Sequence, residues 1–173
     1  AGLKIGTEAT GTIYNIVFER CQILSSSRGL CIQLRDEGSV SNIVFRDIQF
    51  VSRYHSDPWW GRGEAISFTA LPRTAETKLG RLQNISVENV SGKAENSIRV
   101  NGSERSRIEN VRFAGVSVTC SRWTKYPGGV YDNRPTKALP PIAPHETDGF
   151  SFSHAGNITL INCRVRWNSK CPD

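Results

Sequence analysis

The sequence predicts an all-β fold: a single-stranded right-handed parallel β-helix of about five three-strand coils with long inserted loops, spanning residues 1–173 as one domain. Three observations predict it. A motif of the form Asn, apolar, any, apolar, two residues, apolar recurs along the chain. A short alternating strand precedes each copy. No segment sustains a 3.6-residue apolar period, whereas period 2 marks strands.

The coils follow in order. The first runs from GLKIG (2–6) to NIVFERCQI (15–23), and the second from GLCIQ (29–33) to NIVFRDIQF (42–50). The insertion 51–63 leads to the third, AISFT (65–69) and NISVENVSG (84–92), with a loop at 71–81 between them. The fourth pairs SIRVN (97–101) with NVRFAGVSV (110–118). The insertion 121–148 leads to the fifth, GFSFS (149–153) and NITLINCRV (157–165). Leu3, Leu30, Ile66, Ile98 and Phe150 form one inward column, and Ile5, Ile32, Phe68, Val100 and Phe152 the next. One coil cannot bury its own apolar edge, but stacked coils bury a continuous core. The usual hand of parallel crossovers is right. Within each motif a two-residue corner ends on Arg20, Asp47, Asn89, Gly115 or Asn162. Gly, Asn and Asp accept left-handed backbone, so Arg20 is the exception.

A chain of 173 residues is long enough for a real core. Its 22 Lys and Arg against 16 Asp and Glu give +6, which favours anionic partners: nucleic acid, anionic lipid or acidic polysaccharide. No apolar run approaches membrane-span length. The basic residues are dispersed and no nucleic-acid motif is present, so neither nucleic acid nor membrane is the expected partner. Methionine is absent, position 1 included, which reads as a processed, trimmed or partial product. Five cysteines rule out a complete internal disulfide set, and no CxxC spacing suggests zinc. Cys21 and Cys163 share the column of Ile48, Val90 and Val116 and read as core thiols, while Cys31 falls on an outward phase. The first residues of the motif, Asn15, Asn42, Asn84, Asn110 and Asn157, should stack as a hydrogen-bonded ladder rather than bind a ligand. Asn84, Asn89, Asn101 and Asn157 lie in glycosylation sequons, a reading the ladder discounts for two of them.

The outward columns of the short strands are polar: Lys4, Cys31, Ser67, Arg99 and Ser151, with Gly6, Gln33, Thr69, Asn101 and Ser153 beside them. This is either a solvated face or the floor of a cleft. Both insertions should flank it. They carry Tyr54, Trp59, Trp60, Trp123, Tyr126 and Tyr131 with Arg53, Arg62, Arg122, Lys125 and Arg134. Aromatic rings in long loops are either a binding surface or packing on the coil beneath. Flat rings stack on sugar faces, and Arg forks carboxylates.

With these residues in view, the chain resembles the C-terminal part of a family 28 glycoside hydrolase, the polygalacturonase group. GLKIGTEATGTIYNIVFERCQI, SSSRGLCIQLRDEGSVSNIVFRDI, PWWGRGEAISFTALPRT, WTKYPGGVYDNRP and HETDGFSFSHAGNITLINCRV, taken in order, are similar to a bacterial branch of that family. The resemblance implies a right-handed parallel β-helix, a pectin-type substrate, an extracellular or periplasmic setting, and inverting hydrolysis by two carboxyl groups roughly 6.5–9.5 Å apart. The family's Asn-x-Asp and Asp-Asp strands lie upstream of a Gly-His-Gly segment, and Ala1 stands where that His would be. Its Arg-Ile-Lys motif aligns with Cys31, Ile32 and Gln33. The loop residues that match are Trp59, Trp60, Gly61, Glu64, Arg73, Trp123 and Tyr131.

The catalytic candidates left are Glu64 and Asp148, two coils and roughly 9.6 Å apart at the strand spacing, with His145 beside Asp148. The substrate-binding candidates are Trp59, Trp60, Arg62, Arg73, Arg99, Trp123 and Tyr131. A non-catalytic module for acidic polysaccharide or oligosaccharide is the alternative. A carbohydrate esterase built on Ser151, His154 and Asp148 is a weaker one, because no GxSxG elbow is present. No cofactor or metal is expected. Neither end offers a cap helix, so exposed edges suit end-to-end association of copies.

Overall fold

The computed structural model describes residues 1–57, 60–131, 136, 138–140, 144 and 146–168. Trp59, Arg134, His145 and Cys171 lie outside them. The described residues form eleven strands and no helix. In chain order the strands are β1 (Leu3–Gly6), β2 (Ile13–Ser26), β3 (Arg28–Leu34), β4 (Val40–Ser52), β5 (Glu64–Ala70), β6 (Leu82–Ala94), β7 (Asn96–Asn101), β8 (Ile108–Cys120), β9 (Phe150–Ser153), β10 (Ala155–Ile161) and β11 (Arg164–Trp167). They build two parallel sheets. The short strands run β1-β3-β5-β7-β9, and the long ones β10-β8-β6-β4-β2 with β11 also on β8.

From β1 to β10 successive strands therefore alternate between the sheets, and each pairs with its equivalent in the neighbouring repeat. The inward columns fall into register as the alternation demands: Leu3 with Leu30, Leu30 with Ile66, Ile66 with Ile98 and Ile98 with Phe150. The apolar side chains of both sheets merge into one core. Phe18 stacks on Phe45, Phe45 on Phe68 and Phe68 on Phe113, with centroids 5.1, 5.7 and 6.5 Å apart. Cys120 is buried in this core, while Cys21 and Cys163 are half-buried because they sit in the outermost repeats.

Where the alternation suggests three strands per coil, the second and third are one continuous bent strand in four repeats and separate only at Asn162 and Cys163. Two left-handed residues make the bends in each repeat. In the first they are Asn15 and Arg20, at φ 56° and 53°, and in the third Asn84 and Asn89, at 58° and 49°. Arg20 bends like its Asp, Asn and Gly equivalents despite its type. The ladder is continuous: Asn42, Asn84, Asn110 and Asn157 each donate Nδ2 to the Oδ1 of the preceding rung at 3.0–3.1 Å. One residue type thus supplies both the left-handed turn and the stacking bond.

The outward face of the short-strand sheet is covered at its inner strands, while Lys4 and Ser153 at its outer strands are exposed. Every residue of β3 and β5 is buried, including the outward-phase Cys31 and Ser67. Described residues of the insertion after β8 contact it. Asn96 donates to the Val130 carbonyl at 2.8 Å on one rim. On the other rim the Thr136 hydroxyl donates to the carbonyls of Pro72 and Arg73.

Candidate functional site

The two insertions meet at a residue that the motif analysis passed over. Glu95 is the single residue between β6 and β7, and it is buried. The repeats on either side carry the long loops, so its side chain points into the space between them. Its Oε2 accepts the Tyr54 N–H at 2.7 Å. Its Oε1 accepts the N–H groups of Trp123 and Thr124, both at 2.7 Å, and the Thr124 hydroxyl at 3.0 Å. Gly63 makes room: a Cβ there would stand 2.9 Å from the Glu95 Cβ, and its φ of +80° suits glycine. The available signal was an acid in a one-residue return, flanked in the stack by two long ones.

Around this anchor the aromatic residues divide by role. Tyr54 is buried, stacks on Tyr126 at 4.4 Å, carries the Arg62 guanidinium over its ring at 4.7 Å, and donates its hydroxyl to Asp57 at 2.5 Å. This pair joins the two loops to each other. Trp60 and Trp123 instead face solvent, 51% and 42% exposed. The Trp123 backbone is fixed directly by Glu95, which also fixes the start of the loop that carries Trp60. Arg53 and Lys125 are exposed on the same loops, with Arg62 and Arg122 half-exposed. Such a surface can stack on a sugar face and attract carboxylates.

Other candidates are placed differently. Glu64 is fully buried, with Oε2 3.4 Å from the buried Arg28 Nε and 2.8 Å from the Arg62 N–H that donates to it. A carboxylate enclosed in this way cannot reach a glycosidic oxygen in solvent, so the catalytic candidate Glu64 is placed in a buried ion pair instead. Asp148 is exposed just before β9, so no enclosed pair of carboxyl groups forms. Arg73 is also structural: its guanidinium forks Asp36 at 2.5 and 3.2 Å and donates to the Thr7 carbonyl at 3.1 Å. The Arg73 hydrogen bond to Asp36 holds that carboxyl below its ordinary range. Arg99 is buried under the Tyr131 ring, 4.5 Å from its centroid. Tyr131 donates to the Ser97 hydroxyl at 2.9 Å, and burial pushes its phenol up. Arg99 is thus enclosed, while Tyr131 is half-buried. In the esterase set, His154 contacts Ser153 at 3.1 Å, and Ser151 hydrogen-bonds Tyr131. No nucleophile–base pair is formed from Ser151 and His154.

A cleft of about 450 Å³ opens on the opposite rim, lined by Leu71, Asn101, Arg105, Leu139, Ser153 and His154 among others. Among the described residues no group of three His, Cys, Asp or Glu side chains could hold a metal ion. Comparison with known proteins returns no matching family model, no matching curated protein and no matching solved structure.

Proposed function

We propose that the chain is a right-handed parallel β-helix of the polygalacturonase-like glycoside-hydrolase type, and that the residues present serve it by binding an acidic, pectin-type glycan. The alternating parallel sheets and the repeated Asn corners support the β-helix. The observation that carries the binding reading is the pair of exposed indoles, Trp60 and Trp123, on loops fixed by one buried carboxylate and surrounded by cations. Sugar rings would stack on the indoles while uronate carboxylates meet the arginines. Hydrolysis by these residues alone is not part of the proposal, because Glu64 is spent on Arg28.

Tryptophan fluorescence titrated with oligogalacturonate tests the reading. Saturable quenching is expected, weakened at least tenfold in W60A or W123A and reduced by salt. Absence of any change with acidic oligosaccharides would overturn it. A reducing-sugar assay on polygalacturonate with the same folded protein should stay at background. Turnover that D148N abolishes would restore the hydrolytic alternative.

A further inference from the structure

Ser153 and His154 meet through their side chains, Oγ to Nδ1 at 3.1 Å. Neighbouring residues of a strand point to opposite faces, so this contact needs a break in the alternation. His154 supplies the break: its φ is 47°, in the left-handed region. Leu34, Ala70 and Gly102 hold the equivalent place in earlier repeats, and none of them has a positive φ. A left-handed residue with a Cβ is strained, and such strain gathers at functional sites.

Both residues are held from inside the stack. The Gly102 N–H donates to the Ser153 carbonyl at 2.9 Å, and the Ile108 N–H to the His154 carbonyl at 3.1 Å. Gly102 lets the second carbonyl come close, because a Cβ there would stand 2.4 Å from it. The fourth repeat thus positions the pair. The same two side chains line the cleft of about 450 Å³, a volume within the range of small-molecule sites. Leu71, Pro72, Leu139 and Pro140 give it an apolar wall. Asn101, the register partner of Ser153, lines it as well.

We propose that this cleft is a second site, an esterase site for carboxylic esters of short acyl chains. With the imidazole proton on Nε2, Nδ1 takes the proton of the Ser153 hydroxyl as Oγ bonds to the ester carbonyl carbon. The Asn101 amide donates to the oxyanion that forms, and the acyl chain lies on the apolar wall. His154 returns the proton to the leaving oxygen as the carbon–oxygen bond of the alcohol breaks. Water then attacks the acyl-Ser153 ester, passing a proton through His154 back to Oγ and releasing the carboxylic acid. The activity stands apart from the glycan reading, because the cleft lies on the rim opposite Trp60 and Trp123.

p-Nitrophenyl acetate tests turnover, and a fluorophosphonate probe followed by peptide mass spectrometry tests the nucleophile. The chain should hydrolyse the ester above the buffer rate and carry the phosphonyl label on Ser153. S153A should fall to the buffer rate. H154N keeps a residue type that accepts left-handed backbone and should lose about a hundredfold or more. N101A should lower kcat about a hundredfold with KM little changed. Circular dichroism establishes that each variant is folded. No turnover by the parent, turnover that survives S153A, or a label confined to other residues would overturn the proposal.

Discussion

The carboxylate of Glu95 holds the backbone of Trp123, its Oε1 accepting the Trp123 N–H at 2.7 Å, while its other oxygen accepts the Tyr54 N–H at the same distance. One buried side chain thus fixes two loops that are far apart in sequence. The β6–β7 return is short, so it is rigid, and it lends that rigidity to the insertions.

Replacing Glu95 should therefore cost more in the loops than in the core. E95Q keeps the shape but turns an amide N–H₂ toward backbone donors, and a hydrogen bond to a charged group contributes about 1.5–3 kcal/mol. The expected loss is about 2 kcal/mol in urea unfolding. The sharper expectation is local: amide exchange at Tyr54, Trp123 and Thr124 should accelerate, while the Phe45 and Phe113 layers stay protected. Uniform acceleration through both sheets would argue against a loop anchor.

Arg28 and Glu64 form the second buried pair, joined across adjacent repeats in register. Removing one partner leaves a buried charge, which costs about 3–5 kcal/mol. R28M should lose stability in that range. R28M/E64L should recover much of it, since apolar replacement of a buried pair is often neutral. The Arg62 N–H, which donates to Glu64, would keep recovery incomplete. A double variant less stable than R28M would contradict this account. Urea midpoints of the three proteins decide it.

The fold was legible because its grammar is local. Period-2 alternation reports which face each residue occupies, and the recurring asparagine marks the same backbone corner in every repeat. Thus Leu30, Ile66 and Ile98 could be placed in one column from the sequence. The left-handed turn at the ladder asparagines was missed, although the residue type pointed to it. The site was much less legible. Glu64 looked like a carboxylate at the mouth of a strand, yet Arg28 holds the same place one repeat earlier, and that match was the clue to an ion pair. The course of the second insertion has no period at all. Tyr131 resting on Arg99 and Thr136 crossing to Pro72 are long-range contacts that no spacing encodes.

Asp36 should shape the acid limb of stability. The Arg73 hydrogen bond holds its carboxyl below the ordinary range, with the Ala9 N–H adding a further bond. The unfolded chain then binds this proton at a higher pH than the folded one does. The contribution is complete above about pH 5, and it fades as the pH falls through the unfolded value near 4 and on through the depressed folded one. D36N should lower stability at neutral pH and flatten the slope between about pH 5 and 3. Urea midpoints measured across that window test it, and an unchanged slope would rule Asp36 out.

Asn84 combines two roles that substitution can separate. It donates to Asn42 at 3.1 Å, accepts from Asn110 at 3.0 Å, and holds φ at 58°. N84G keeps the left-handed turn available but removes both ladder bonds, at about 1 kcal/mol each. N84A removes the same bonds and adds a left-handed penalty of about 1–2 kcal/mol for a residue with a Cβ. Alanine should therefore be the more destabilising replacement, reversing the usual order of the two residues in regular structure. The same inversion should hold at Asn110, the neighbouring rung with the same φ of 58°. If alanine were tolerated better than glycine at both rungs, the ladder would act through its hydrogen bonds alone, and the left-handed corner would not explain why asparagine recurs.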